Sequence, residues 1–244
     1  MGLVKQIPNF ITLGNLLSGT VAVIFAVEGD YKTAALLVCI GIVFDFFDGF
    51  VARLLNVSGE LGKQLDSLAD MVTSGVVPGI IMYKLIQNNL FHTPHSLFED
   101  SILGFSLLGL ILTLGACYRL AKFNIDTRQS DSFIGLPTPA MSLFVISLPL
   151  IQEYSNIEFV QNLIANNYFL IAVTLLLTYL MNAELPLFSL KFKEYSVKNN
   201  LMKYLFLVVS LLMIIFLQYI SIPLIIILYI ILSIISNYGK KATV

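Results

Sequence analysis

Apolar stretches of about 20 residues recur along the whole of this 244-residue chain, and no other sequence feature narrows its fold as much. A helix of that length crosses a hydrocarbon layer about 30 Å thick, and backbone inside such a layer must satisfy its own polar groups. The expected fold is therefore all-α, a polytopic transmembrane helix bundle. We read eight spans, over 8–28, 33–55, 66–88, 101–121, 137–152, 164–183, 201–218 and 220–237. Charged residues supply only 12% of the chain, about half the share in a soluble domain, so water is not its main solvent.

The basic residues agree with that count. With the N-terminus in the cytoplasm, one side collects Lys5, Arg53, Lys63, Arg119, Lys122, Arg128, Lys191, Lys193, Lys198, Lys203, Lys240 and Lys241. The other side keeps Lys32 and Lys84, the asymmetry expected of cytoplasmic loops. A net charge of −1 gives no global field to attract nucleic acid. Pro8, Asn9, Thr12, Asn15 and Ser18 interrupt the first span and no small-residue cleavage site follows cleanly, so that span is expected to remain in the mature protein. Cys39 and Cys117 have neither disulfide nor metal-ligand spacing and are expected to be small core residues. His92 and His95 are expected in a solvated loop. No linker or low-complexity tract divides the chain, so residues 1–244 are expected to form one membrane domain. Within it, polar residues concentrate toward a catalytic core over about 5–195, and an apolar helix pair over about 200–238 is expected to pack against lipid or a neighbouring chain.

The chemistry concentrates in one segment. Asp45 and Asp48 are three residues apart and Asp66 and Asp70 four, so each pair shares one face of its helix. A short turn around Val57 to Gly62 joins the two helices, so the pairs can face each other at one end of spans two and three. Four carboxylates at a lipid boundary repel one another and would be driven to protonate without a compensating charge. Arg53 alone is insufficient. A divalent cation, Mg²⁺ or Mn²⁺, satisfies such a cluster because hard cations take oxygen ligands. Gly49 and Ala52 leave a groove beside the acids, and Arg53 brings the planar fork that matches phosphate oxygens. Metal, arginine and a small-residue groove together describe a pyrophosphate site. Intramembrane aspartates also mark ion pathways, so a divalent-cation transporter is the alternative from another class. Clustering of both pairs near one membrane face weighs against it.

The spacing of Asp45, Asp48, Gly49, Ala52, Arg53, Gly62, Asp66 and Asp70 resembles the full signature of the CDP-alcohol phosphotransferases. That resemblance implies a six-helix transmembrane core, usually dimeric, that transfers a phosphatidyl group from a CDP-linked lipid to an alcohol and releases CMP. It also implies that Asp45, Asp48 and Asp66 ligate metal in a two-ion site, a role shared by Asp70, which in addition is the general base. Gly49, Ala52 and Arg53 fall on its CDP-contacting positions. The run Ile7-Pro8-Asn9-Phe10-Ile11-Thr12 with Asn15-Leu16, the run from Tyr118 to Asn124, and Phe133 to Ala140 are similar to the bacterial membrane-embedded phosphatidylserine synthases. This narrower likeness implies CDP-diacylglycerol and L-serine as substrates and an active site on the cytoplasmic face of the inner membrane. Pro8 and Asn9 either begin span one or touch the nucleotide. Arg119 is the candidate for the serine carboxylate, with Lys122 and Asn124 as further candidates near the amino acid. Arg119 and Lys122 could instead anchor span four at the headgroups. Glycerol 3-phosphate or inositol phosphate as acceptor is the alternative within the family. Pro137 and Pro139 are expected to begin span five or to free backbone groups toward the cavity.

Overall fold

A computed structural model of the protein describes residues 4–57, 59–91, 102–126, 133–188 and 200–241. His92, His95, Arg128, Lys191, Lys193 and Lys198 lie outside the described residues, as do their expected positions relative to the membrane.

The first two helices form a tight hairpin. α1 (Ile7–Glu28) ends where Gly29 takes a left-handed φ of 88° and returns its N–H to the carbonyls of Phe25 and Ala26. Asp30 then caps α2 (Tyr31–Leu54), accepting from the Thr33 N–H at 3.0 Å and the Thr33 hydroxyl at 2.6 Å. Those Thr33 hydrogen bonds hold the Asp30 carboxyl below its ordinary pKa. Since only two residues separate the helices, α1 and α2 pack antiparallel along their length.

The third span is one long helix of mixed pitch. α3 (Glu60–Asp70) leads into a turn of π-helix (Met71–Val76), where the Val77 N–H reaches back five residues to the Val72 carbonyl, and then into α4 (Val77–Phe91). It starts six residues before the expected span, so Asp66 lies inside the helix instead of at its first position. α5 (Ile102–Ser106), a 3₁₀ turn over Leu107–Leu110 and α6 (Ile111–Ile125) make the fourth span. Gly109 lets this span cross α4 closely: a Cβ there would stand 2.6 Å from the Tyr83 nitrogen and 2.9 Å from the Met82 carbonyl carbon.

α7 (Thr138–Tyr154) is the core helix, buried almost without interruption from Met141 to Ile151. Pro139 occupies its first turn, where a missing N–H costs nothing, so the helix-start reading accounts for this proline. α8 (Glu158–Ile164) and α9 (Asn167–Asn182) meet at a 73° bend, with Asn166 capping α9 through the N–H groups of Tyr168 and Phe169. Between the helices, β1 (Phe133–Ile134) and β2 (Pro186–Leu187) form a two-residue antiparallel pair, Phe133 opposite Leu187 and Ile134 opposite Pro186. This is the one departure from an all-helical fold among the described residues.

α10 (Leu201–Leu217) and α11 (Ser221–Lys241) fold back on each other at Gln218, which takes a positive φ of 47°. The Phe206 and Tyr229 ring centroids lie 5.9 Å apart. Along one continuous helix they would be separated by roughly 35 Å. Phe188 completes this aromatic cluster at 6.1 Å and 5.0 Å, joining the hairpin to the end of β2.

Among the described residues, five helical stretches are long and apolar enough to cross a membrane, or six if the bent α8–α9 pair is one span. The expected eight is not reached by this measure, because α7 has 17 residues and 201–236 counts as a single stretch despite its reversal. The cysteines require a second correction. Cys39 and Cys117 are both exposed, Cys39 beside Leu36, Ile40 and Val43 and Cys117 beside Leu114 and Tyr118 on outward helix faces. In a membrane bundle an apolar residue gains as much from lipid as from the interior, so hydrophobicity alone does not place it inside.

Candidate metal and pyrophosphate site

The acids come together as their spacing requires. Asp45 and Asp48 project from the second half of α2, and Asp66 and Asp70 from the second half of α3. Carboxylate oxygens of Asp45, Asp48 and Asp66 all lie within 4.8 Å of one another. Asp70 stands outside that trio, one turn farther along its helix. Asp45 precedes the end of α2 by nine residues, about 14 Å along the axis, so the cluster lies inside the bundle end rather than on its rim. Among the described residues no lysine or arginine forms an ion pair with any of the four. Three close carboxylates lacking a cationic partner, one buried and two half-buried, are a donor set that fits a hard divalent cation.

α1 supplies neutral donors to this cluster. The Thr12 hydroxyl lies 2.5 Å from Asp48 Oδ2 and 3.1 Å from the Pro8 carbonyl. Asn15 Nδ2 donates to Asp70 Oδ1 at 3.1 Å. Both donors are buried, Thr12 at 3% and Asn15 at 0% exposure, so neither contact is diluted by water. In the sequence, Thr12 and Asn15 stand as polar interruptions of an apolar span and carry no evident role in the site. The available signal was their phase: Pro8, Thr12, Asn15 and Ser18 lie on one helix face, and all are buried.

At the mouth of the site, Gly49 has the Arg53 guanidinium above it. A Cβ on Gly49 would stand 3.5 Å from Nη1 and 3.9 Å from Nη2. The guanidinium thus lies against the Gly49 position at ordinary contact distance, with Ala52 half-buried on the next turn. Across the gap, a Cβ on Gly62 would meet Asn9 Oδ1 at 3.5 Å, so Asn9 faces the start of α3. Its Nδ2 donates to Gln6 Oε1 at 2.8 Å, while the N-cap position of α1 is Gln6. Asn9 therefore is not the cap, and Pro8 sits in the first helical turn.

On the other flank, Arg119 projects from α6 with 8% exposure, its guanidinium 6.0 Å from the Phe123 ring centroid and its Nε without a hydrogen-bond partner. It is close enough to Asp70 for their charges to interact. Arg119, Lys122, Phe123, Asp126, Ile134, Met181, Asn182 and Ala183 line a small cleft beside it. Lys122 lies 3.9 Å from Glu184. Asn124 joins α6 to the metal helix: its Nδ2 lies 2.9 Å and its Oδ1 3.2 Å from the Ser67 hydroxyl, and its carbonyl accepts from Lys63 Nζ at 2.5 Å. The Asn124 amide thus acts between helices and faces Ser67, not the cleft.

The apolar helix bundle suits an integral membrane protein, and the opposed carboxylates at its interior end are a set that could bind a metal ion. Comparison with known proteins identifies the kind. Residues 5–180 match the CDP-alcohol phosphatidyltransferase family, and the chain belongs to that family. It is an enzyme of the class that transfers phosphatidyl groups from CDP-alcohols. The chain is similar to a CDP-diacylglycerol–serine O-phosphatidyltransferase of Bacillus subtilis, 33% identical over 144 residues that cover 59% of this chain and 75% of the relative. Against the Helicobacter pylori (strain J99) protein of the same name it is 34% identical over 148 residues, 60% of this chain and 58% of the relative. An archaetidylserine synthase of Methanothermobacter thermautotrophicus is 29% identical over 163 residues, 63% of this chain and 64% of the relative.

Proposed function

We propose that the protein makes phosphatidylserine by transferring the phosphatidyl group of CDP-diacylglycerol to the hydroxyl of L-serine, with release of CMP. The observation that carries this reading is the trio of carboxylates from two helices beside the Arg53 guanidinium seated over Gly49. The names of the relatives support serine as acceptor. Asp45, Asp48, Asp66 and Asp70 hold divalent metal, Mg²⁺ or Mn²⁺, as two ions. When bound, the metal neutralises pyrophosphate charge and improves CMP as a leaving group. Gly49 and Ala52 admit the CDP group close to α2, Arg53 contacts its phosphate oxygens, and Asn9 and Pro8 border the same opening. Asp70 accepts the proton of the serine hydroxyl as its oxygen attacks the lipid-bearing phosphorus and the bond from that phosphorus to the CMP oxygen breaks. Arg119 receives the serine carboxylate, Lys122 adds positive charge nearby, and Asn124 keeps the end of α6 against α3.

The reading further assigns the protein to the bacterial inner membrane, with the site open to the cytoplasm, as a homodimer. Purified protein supplied with CDP-diacylglycerol and Mg²⁺ or Mn²⁺ should release CMP on addition of serine and stop on addition of EDTA. Release driven by glycerol 3-phosphate or inositol phosphate but not by serine would reject the acceptor. Metal uptake into vesicles without CMP release would reject the class.

Arg119→Gln tests the amino-acid subsite. Loss of a charge-assisted hydrogen bond should raise the KM for serine roughly ten- to hundredfold, with the KM for CDP-diacylglycerol changed by less than about twofold. Equal effects on the two substrates would remove Arg119 from the serine site.

A further inference from the structure

A buried polar pair stands behind Asp70, made by three helices. The Thr73 hydroxyl lies 2.7 Å from Asn15 Oδ1 and 3.1 Å from the Asn15 carbonyl, and Asn15 Nδ2 donates to Asp70 Oδ1 at 3.1 Å. Thr73 and Asn15 are both fully buried. Space for Thr73 comes from two glycines on different helices. A Cβ on Gly19 of α1 would collide with the Thr73 hydroxyl, and one on Gly41 of α2 would stand 2.6 Å from Thr73 Cγ2 and 2.8 Å from Asn15 Oδ1. Thr73 also belongs to the π-helical turn that begins immediately after Asp70.

Such an arrangement does more than fill space. An asparagine amide has a donor end and an acceptor end, and rotating it by half a turn exchanges them. With the Thr73 hydroxyl donating to Oδ1, the Nδ2 end is directed at Asp70. In the reversed orientation Oδ1 would face a carboxylate oxygen, two acceptors with no hydrogen between them. Oδ1 of Asp70 is thereby pinned, and among the described residues its Oδ2 has no hydrogen-bond partner.

We propose that Thr73 and Asn15 are positioning residues for the transfer reaction: Thr73 anchors the Asn15 amide, and Asn15 fixes the rotamer of Asp70 so that Oδ2 is presented to the acceptor hydroxyl. This rests on the reading of Asp70 as the base. Because the relay acts on the reacting oxygen and contacts no substrate, its loss lowers kcat and leaves substrate affinity alone. Displacement of a catalytic atom by about 1 Å can cost a hundredfold, so a loss of roughly ten- to hundredfold is the expected scale.

The test compares Thr73→Val, which keeps the shape and removes the hydroxyl, with Thr73→Ser, which keeps the hydroxyl, and with Asn15→Ala and Asp70→Asn, all in full-length protein assayed for serine-dependent CMP release. Thr73→Val and Asn15→Ala should lose kcat on the stated scale, with both KM values within about twofold of the parent, and Thr73→Ser should recover most of the rate. Unchanged kcat in Thr73→Val beside an inactive Asp70→Asn overturns the relay and leaves the base reading intact. Equal losses in Thr73→Val and Thr73→Ser also overturn it, since packing and not the hydroxyl would then matter. Full turnover by Asp70→Asn removes the base reading itself, and the relay with it.

Discussion

Asp66→Asn should reduce CMP release by about a thousandfold or more. Asp66 contributes the only carboxylate from α3 to the close trio, so it ties the second helix to whatever cation the site holds. Asparagine keeps the size and one acceptor oxygen but removes the charge, and a divalent cation loses a formal neutralising partner while the two acids of α2 remain. The variant should therefore need a higher concentration of Mg²⁺ or Mn²⁺ for half-maximal rate, read from a metal titration in purified protein. Asp30→Asn serves as the control, because Asp30 caps α2 at the end opposite the cluster and asparagine caps nearly as well. It should leave the rate unchanged. Parental turnover and metal dependence in Asp66→Asn would remove the carboxylate trio from the mechanism.

Gly109→Ala should cost about 3 kcal/mol of stability, the upper end for overpacking, because the new methyl meets backbone and not a movable side chain. The Tyr83 nitrogen and Met82 carbonyl carbon would lie 2.6 Å and 2.9 Å away, so α4 and the fourth span must separate. Gly104 is five residues earlier in the same span and has nothing within 4 Å of the corresponding position. Gly104→Ala is expected to change stability by less than about 0.5 kcal/mol. Thermal unfolding of both variants in one detergent gives the comparison, and equal midpoints would show that the helices do not meet closely at Gly109.

Where information was local, the sequence carried it. The two aspartate pairs each sit on a single helix, so their spacing alone put them on common faces, and the tight α2–α3 connection brought those faces together. Pairings between distant helices were a different matter. Thr12 reaches Asp48 across 36 residues and Asn15 reaches Asp70 across 55, and nothing near either residue indicates which helix will lie opposite. From the sequence, Asn124 is a candidate to orient the amino acid. Its amide instead faces Ser67, an alternative visible only once α3 and α6 are adjacent. The break between the last two helices was legible as a dip in hydropathy near Gln218. Its sharpness was not, since a glutamine with positive φ has no sequence signature comparable to glycine at Gly29. Burial was the least legible property. Cys39 and the lipid-facing leucines of α2 are as apolar as Val38, which is buried, so composition cannot sort one side of a membrane helix from the other.

The π-helical turn over Met71–Val76 sets the rotational phase between two sets of residues on one long rod. Before it, Asp66 faces the acids of α2 and Asp70 faces Asn15 of α1; after it, Val77, Ile81, Met82, Leu85 and Ile86 point into the protein interior. A π-helical turn takes up one residue more than an α-helical turn of the same sweep, so deleting one residue there would let it relax to ordinary pitch with both sets still facing their partners. Deleting a residue from α3 or α4, where no such slack is stored, would instead swing one set relative to the other by about 100° and turn either the acids or the apolar anchor the wrong way.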